Sequence, residues 1–400
     1  HIDAFITRFA RIYTPVVVGI AIFTAVGIPL VTGQSFYPWV YTALSFLVMS
    51  CPCALVLSVP LAFFCGIGSG SRQGILFKGG VVMETLATIK AVVMDKTGTI
   101  TEGNFSVQRL NPVSGGPSEE TLLALCAACE QGSTHPIGTS ISAAAKAKNL
   151  DVSRPEKITE LSGKGISAVL NGQSLLCGNL KLMEYFSVDC SRYQKSGQGS
   201  EVLLAVDGRY AGSIVIADTL KTEAPGAIAW LRRENLVTAM LTGDTADSAR
   251  AIARKAGIED VHARLLPEEK LETLKNIRQT HGPVLFVGDG INDAPVLAGA
   301  DVGAAMGSGA DAALEAADVV YMRSDMNAIP ESIALSRHTR RIALQNVIFA
   351  LTIKIAVMIL GITGIYANLW LAVFADTGVA FLCILNAMRL LLYKQPARFQ

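Results

Sequence analysis

The sequence predicts a multi-domain membrane protein: α-helical transmembrane hairpins plus a doubly wound α/β domain that carries an inserted α+β domain. Three observations predict this class. First, of 400 residues 51% are hydrophobic and 17% charged, too apolar for an ordinary soluble chain and too polar for a pure membrane bundle. Second, the apolarity is localised. Between Arg11 and Arg72 there is no Asp, Glu, Lys, Arg or His, and between Arg341 and Arg389 the only charges are Lys354 and Asp376. Third, from about residue 72 to 340 the composition is that of a globular protein, and short Val-, Leu- and Met-rich runs alternate with helical stretches.

Each apolar block is long enough to cross a bilayer twice, at about 20 residues per span. The first divides near "TGQSFYP", giving spans of about 13–32 and 38–67, and the second near "TGIYANL", giving about 344–363 and 368–391. Both inter-span loops lack charge. Arg8, Arg11, Arg72 and Lys78 flank the first hairpin on its other side, and Arg337, Arg340, Arg341, Arg389 and Lys394 flank the second. The positive-inside rule then places these flanks and the soluble unit in the cytoplasm. The plasma (inner) membrane is the expected location of the hairpins. The lead-in "HIDAFITRFARIY" carries no signal-peptide pattern and reads as cytosolic, as expected of a chain whose upstream part is missing.

Depth counting links the two hairpins. Cys51 and Cys53 lie about 13–15 residues inward from the outer loop, Lys354 about 12 before the turn near Tyr366 and Asp376 about 10 after it. At 1.5 Å per residue all four fall roughly 15–22 Å below the outer face, near mid-bilayer. Charges at that depth are costly and usually mark a transport path, the plainer alternative being a Lys–Asp pair that only locks two helices together.

In the soluble unit, "IKAVVMDKTGT" (89–99), "LVTAMLTGD" (236–244), "GPVLFVGDGIND" (282–293), "DVGAAMG" (301–307) and "DVVYMR" (318–323) have the continuous apolar character of strands buried on both faces of a parallel sheet. Stretches such as 245–258 and 267–280 supply the crossover helices. Ligands of such a fold bind beyond the carboxyl ends of the strands. Asp95, Thr242, Gly243, Asp244, Asp289, Asn292 and Asp293 all fall there. Asp95 can act as a nucleophile that forms an acyl-phosphate. Asp289 and Asp293 offer hard oxygen ligands for Mg2+. Thr242 and neighbouring amides can hold phosphoryl oxygens, and Lys270 can meet the charge that develops in phosphoryl transfer. Each residue alone has a plainer explanation as a cap or turn; their joint occurrence in this order does not.

"DKTGT", "TGD" and "GDGINDAP" resemble the signature motifs of P-type ATPases, cation pumps of the haloacid dehalogenase superfamily, and the likeness runs from about residue 5 to 395. The resemblance implies that ATP phosphorylates Asp95 within the motif that includes Lys96 and Thr97. It implies that Mg2+ is held by Asp95, the Thr97 carbonyl and Asp289, with Asp293 nearby. Related phosphatases carry a general acid where this chain has Thr97, so a phosphoenzyme would persist. In the insert, His135-Pro136 and Gly163-x-Gly165, with Glu130 beside them, match the nucleotide-binding motifs of the heavy-metal branch. They imply that His135 contacts adenine and that the glycines let backbone approach ATP. Cys126-x-x-Cys129 lacks a second ligand pair and is expected to be core.

Cys51-Pro52-Cys53 ahead of DKTGT is similarly the mark of that branch. Thiolates select soft or borderline ions, and Pro52 removes a helical hydrogen bond. "ALTIKIAV" and "FADTGVAFL" match the zinc/cadmium/lead type rather than the copper type, which implies Asp376 as a third ligand and Lys354 as a built-in counter-ion. The function implied is ATP-driven export of Zn2+, Cd2+ or Pb2+ through an aspartyl-phosphate. The alternatives are a Cu+-exporting pump and a membrane-anchored haloacid dehalogenase-type phosphatase.

The expected domains are 1–71, the first transmembrane hairpin; 72–104 with 219–335, the phosphorylation domain; 105–218, the nucleotide-binding domain; and 336–400, the second hairpin with its tail. Pumps of this branch have eight spans and an actuator domain with a Thr-Gly-Glu loop. Four spans and no Thr-Gly-Glu are found here, so the actuator domain and upstream helices are expected as missing partners, beside the lipid bilayer, ATP and the metal ion. The net charge of +1 argues against nucleic acid, and eight irregularly spaced cysteines argue against a disulfide scaffold.

Overall fold

The structure is a computed structural model that describes residues 2–50, 53–133, 135–195, 199–289, 293–307, 311–362 and 373–393. For 2–10, 48–49, 53–55, 361–362 and 375 it describes backbone alone. Cys51, Pro52 and Asn292 lie outside the described residues, as does the Cys53 side chain.

The first apolar block forms α1 (Ile2–Ile22), a π-helical turn (Phe23–Gly27), α2 (Ile28–Thr32), α3 (Phe36–Met49) and α4 (Cys53–Arg72). The lead-in is continuous with the first span, since no glycine interrupts it before Gly19 and Pro15 is accommodated inside α1. Gly33, at φ 68°, caps α2 in the left-handed conformation. The expected 38–67 span is two helices. Helix α3 ends at Met49 and α4 begins at Cys53, on either side of a proline that cannot donate to the helical ladder. Tyr13 Oη ties α1 to this break by donating to the Ser50 carbonyl at 2.8 Å.

The soluble unit contains two sheets. Strands β1 (Ile75–Phe77), β2 (Ala91–Asp95), β9 (Val237–Leu241), β10 (Asp260–His262), β11 (Val284–Gly288), β12 (Val302–Met306) and β13 (Val319–Tyr321) form a seven-stranded sheet in the order β1-β13-β12-β11-β2-β9-β10. All pairs are parallel except the β1 edge. The five apolar runs singled out in the sequence become β2, β9, β11, β12 and β13. Helices α5 (Gly80–Leu86), α9 (Ala224–Arg233), α10 (Ala246–Ala256), α11 (Pro267–His281), α12 (Ala294–Gly299) and α13 (Asp311–Ala316) supply the crossovers and flanks. Every residue of β2, β11 and β12 is buried, as covering both sheet faces requires.

Between β2 and α9 the chain builds the second sheet. Strands β3 (Thr101–Pro112), β4 (Lys157–Leu161), β5 (Gly165–Leu170), β6 (Gln173–Gly178), β7 (Ser200–Val206) and β8 (Arg209–Leu220) are antiparallel in the order β3-β8-β7-β6-β5-β4. Helices α6 (Glu119–Cys129) and α7 (Pro136–Ala147) share its separate core, with Leu122, Ile141 and Ile214. Helix α8 (Leu180–Tyr185) follows β6.

Helix α14 (Ala328–Ile362) is longer than the expected 344–363 span. Its first turns pack Ile329 and Ile333 into the core that holds Val92, Met94 and Val302 of the sheet, and that core continues to Val59 and Phe63 of α4 and Leu390 near the C-terminus. The apolar helix therefore doubles as a core helix of the α/β unit. A π-helical turn (Phe374–Gly378) and α15 (Val379–Met388) follow. Among the described residues, the stretches 11–32 and 328–360 are helices long and apolar enough to cross a membrane, and 56–72 is a shorter apolar one.

Candidate functional site

Strand β2 lies between β11 and β9, in register Val93 to Phe286 and Val93 to Ala239. Their carboxyl ends therefore converge on one spot, which places Asp95, Asp289 and Thr242 side by side. The Lys96–Ile100 turn then carries the chain away from Asp95. The Asp95 carboxylate accepts from the Thr97 N–H at 3.1 Å. Lys270, from the first turns of α11, donates to Asp95 Oδ1 at 2.6 Å and to Asp293 Oδ1 at 2.9 Å. All three residues are buried. Carboxylate oxygens of Asp95, Asp289 and Asp293 lie within 4.8 Å of one another.

Burial raises Asp95 to about 7, reinforced by Asp293 and opposed by Lys270. Burial and Asp293 push Asp289 up to about 6, against the pull of Lys221. Burial works to lower the Lys270 ammonium, but Asp95 and Asp293 outweigh it and hold it above its ordinary value. Three carboxylates around one ammonium leave net negative charge on hard oxygen donors. That donor set fits Mg2+.

On the β9 side, the Asp244 N–H donates to Thr242 Oγ1 at 3.1 Å, and Lys96 is ion-paired with Asp244. Gly243 sits between them at the strand tip. Of the residues singled out for the phosphoryl site, Asp95, Lys96, Thr97, Thr242, Gly243, Asp244, Lys270, Asp289 and Asp293 are thus brought together.

Five residues not singled out from the sequence belong to the same spot. Gly98 has φ 70°, and a Cβ there would overlap the Asp289 carboxylate. Thr101 Oγ1 donates to Asp218 across β3 and β8. Lys221, fully buried, donates to the Gly98 carbonyl at 2.8 Å and to Ser324 Oγ at 2.8 Å. Burial lowers its ammonium from the ordinary value, opposed by Glu102 and Glu223. The available signal was "ADTLK", a carboxylate and a cation closing the apolar run of β8.

The second group lies around a cavity of about 590 Å3 in the insert, lined by Glu130, His135, Gly163, Lys164 and Gly165 among others. His135 caps α7: its Nδ1 accepts the Ile137 N–H at 3.2 Å, which leaves Nε2 as the donor of the neutral ring. Burial raises the Glu130 carboxyl, against a hydrogen bond from Ser133 and the nearby His135. Gly163 has φ 70° and Gly165 φ 139°. A Cβ on Gly165 would strike the Cys177 carbonyl and Gly178. Asn179 Nδ2 donates to the Gly163 carbonyl at 2.9 Å and holds the turn. Cys126 and Cys129 lie buried in the insert's core beside Cys177. A hydrogen bond with Cys177 and burial push the Cys129 thiol up.

In the apolar helices, Lys354 Nζ of α14 donates to Asp376 Oδ1 at 3.3 Å, and both side chains are largely covered. Asp376 stands on the π-helical turn, whose extra residue re-aims a side chain and is common at functional sites. Buried Asn346 of α14 donates to the Cys383 carbonyl at 3.0 Å and accepts from Asn386 at 2.8 Å, so polar contacts join the same two helices.

A doubly wound sheet with an aspartate at its central strand tip, a lysine against it and further carboxylates beyond the next strand is the arrangement of a haloacid dehalogenase-like hydrolase. A profile of haloacid dehalogenase-like hydrolases matches residues 89–301, more than half of the chain, and the chain belongs to that family. Its relatives extend over both apolar blocks. It is 46% identical over 398 residues to the cadmium, zinc and cobalt-transporting ATPase of Bacillus subtilis, covering 98% of this chain and 56% of that protein. It is 46% identical over 393 residues to the zinc-transporting ATPase of Synechocystis, covering 97% and 54%. A crystal structure of a zinc-transporting PIB-type ATPase in its E2.Pi state matches with a TM-score of 0.89 at 37% identity, covering 97% of this chain and 64% of that one. The chain spans about half the length of the curated relatives it matches.

Proposed function

We propose that this chain is the catalytic and metal-translocating part of a P-type ATPase that exports a divalent soft or borderline ion, Zn2+, Cd2+ or Pb2+, from the cytoplasm across the plasma membrane. The observation that carries this is the Lys354–Asp376 pair, held between apolar helices of a chain whose sheet also gathers Asp95, Lys270, Asp289 and Asp293. A membrane-anchored phosphatase needs the second cluster but has no use for the first.

Residues 105–218 form the nucleotide-binding domain, where His135 Nε2–H faces the adenine and Gly163 and Gly165 let backbone approach ATP, with Glu130 beside them. Residues 72–104 and 219–335 form the phosphorylation domain. The Asp95 carboxylate attacks the γ-phosphorus of ATP, the bond to the bridging oxygen breaks, and its electron pair leaves with ADP. Lys270 holds the nucleophile and meets the developing negative charge, while Thr242 and the Gly243 amide offer donors to the phosphoryl oxygens; Lys96 fixes Asp244, whose N–H orients Thr242, and Asn292, outside the described residues, is assigned to the same site. Asp95, the Thr97 carbonyl, Asp289 and Asp293 would hold Mg2+, which supplies charge neutralisation on the phosphates when bound. Thr97 stands where phosphatases place a general acid, so the aspartyl-phosphate persists long enough to drive a conformational change.

In the hairpins 1–71 and 336–400, Cys51 and Cys53 supply thiolates and Asp376 a carboxylate to the transported ion, and Lys354 takes its place against Asp376 when the ion leaves. The complete cycle also uses an actuator domain and further membrane helices beyond the matched half of the relatives. The test is metal-stimulated ATP hydrolysis and phosphoenzyme formation by the protein in lipid. Zn2+, Cd2+ or Pb2+ should stimulate, Asp376→Ala should lose the stimulation, and Asp95→Asn should abolish the acid-stable phosphoenzyme. Stimulation by Cu+ alone would overturn the metal assignment.

A further inference from the structure

A cavity of about 570 Å3 opens where the sheet meets the apolar helices. It is lined by Thr88 and Lys90, from the segment between α5 and β2, and by Arg337, Arg340, Arg341 and Leu344 of α14. Every ionisable group in its wall is basic. Arg337 is engaged, donating to Glu234 at 2.7 Å. Arg340 and Arg341 are exposed, and neither they nor Lys90 form an ion pair among the described residues.

The helix continues the pattern. Arg337, Arg341, Leu344 and Ile348 are spaced by four, three and four residues, so they share one face of α14. Leu344 is 52% exposed and Ile348 57% exposed. One stripe therefore passes from guanidinium to bare hydrocarbon within a single turn. On a helix that enters a bilayer, that change marks the depth of the lipid phosphates. A phospholipid has the same order of parts, an anionic phosphate above two apolar chains.

We propose that this cavity binds the headgroup phosphate of an anionic membrane phospholipid, held by Arg340, Arg341 and Lys90, with its acyl chains along Leu344 and Ile348. Paired guanidinium forks suit phosphate oxygens, and basic clusters at the foot of a membrane helix attract anionic headgroups. The site has mechanical reach. Lys90 directly precedes β2, and the far end of β2 is Asp95. A lipid bridging Lys90 and the arginines fastens the base of the nucleophile's strand to the membrane helix. This inference rests on α14 entering the bilayer and is independent of which ion is moved.

The experiment places the full chain in nanodiscs of phosphatidylcholine with and without phosphatidylglycerol and reads retained lipid by native mass spectrometry. Wild type should retain phosphatidylglycerol in preference to phosphatidylcholine, and excess inorganic phosphate should leave it in place. Arg340→Gln with Arg341→Gln should cut retention roughly fivefold for each arginine removed. Lys90→Gln should give a smaller drop and decides the matter if the double variant does not fold. Lys255→Gln, exposed on the soluble unit, should change nothing. Equal retention of both lipids by wild type and by the variants that fold overturns the proposal. Displacement of phosphatidylglycerol by inorganic phosphate also overturns it, in favour of a soluble phosphate ligand.

Discussion

At the residue scale, the carboxylates of the candidate site are held in a state they would not choose in water. Asp95 is raised to about 7 and Asp289 to about 6, chiefly by burial. Both lie above the ordinary carboxylate value near 3.9. The sign follows from linkage: a carboxyl whose folded pKa exceeds its unfolded one binds protons more tightly in the native state. Its stabilising contribution is complete below about pH 4 and is lost as pH rises through about 6 to 7. A divalent ion that requires both groups ionised therefore competes with protons across that window. Mg2+ should raise the melting temperature more at pH 8 than at pH 6, and its binding at pH 6.5 should release protons. Calorimetry in two buffers of different ionisation enthalpy reads that release directly. An equal Mg2+ effect at both pH values would remove Asp95 and Asp289 from the site. The same scale shows where sequence is silent. Asp95 and Asp289 are legible because each stands in a motif, and Lys270 because the reaction calls for a cation and the crossover helix at 267–280 offers one. Lys221 is not, because a lone lysine after a strand looks like a solvated turn until folding buries it against the Gly98 carbonyl.

At the element scale, close backbone approach sets the shape of the insert. Gly165 opens β5 at φ 139° with its Cα facing the Cys177 carbonyl and Gly178 of β6. Gly165→Ala requires both a rare backbone conformation and a shift of the neighbouring strand, together about 1–3 kcal/mol. The variant should lose insert stability by that amount in thermal unfolding, and weaken ATP binding by about tenfold in titration calorimetry, while phosphorylation of Asp95 by acetyl phosphate, which needs no adenine pocket, should persist. Wild-type ATP affinity in the variant would show that the Gly-x-Gly turn does not shape the cavity. Elements with continuous apolar character, β2, β9, β11, β12 and β13, are legible because burial on both faces leaves no other composition. The short edge strands β1 and β10 are not, since three residues carry no periodicity. The span 344–363 was legible in hydropathy, but the start of α14 at Ala328 was not. Its first turns are amphipathic like any core helix, and only tertiary packing makes them one rod with the span. The π-helical turn under Asp376 likewise leaves no mark on composition.

At the scale of the whole molecule, α14 connects the two chemistries. Its 35 residues span about 52 Å at 1.5 Å per residue, with Ile329 in the core of the seven-stranded sheet and Lys354 against Asp376. A change at either end therefore has a stiff element along which to act. Lys354→Ala leaves Asp376 without its cation in an apolar setting, so the ion that neutralises it should leave more slowly. The expected outcome is a phosphoenzyme that still forms from ATP with a lowered metal-stimulated turnover, separated by comparing labelled phosphoenzyme with steady-state hydrolysis. Unchanged turnover would reduce the pair to a helix lock.

The register of β3 and β8 bears on how such a molecule comes to exist. Thr101 faces Leu220, so the chain leaves the seven-stranded sheet and returns to it through a single doorway. Strands β3 and β8 belong wholly to the other sheet, and the residues between them bring their own core. Cutting there takes no strand from the layer that bears Asp95. The insert is in this sense a cassette: lifted out at that doorway, it would take its own sheet and core with it and leave the strand order of the scaffold beneath intact.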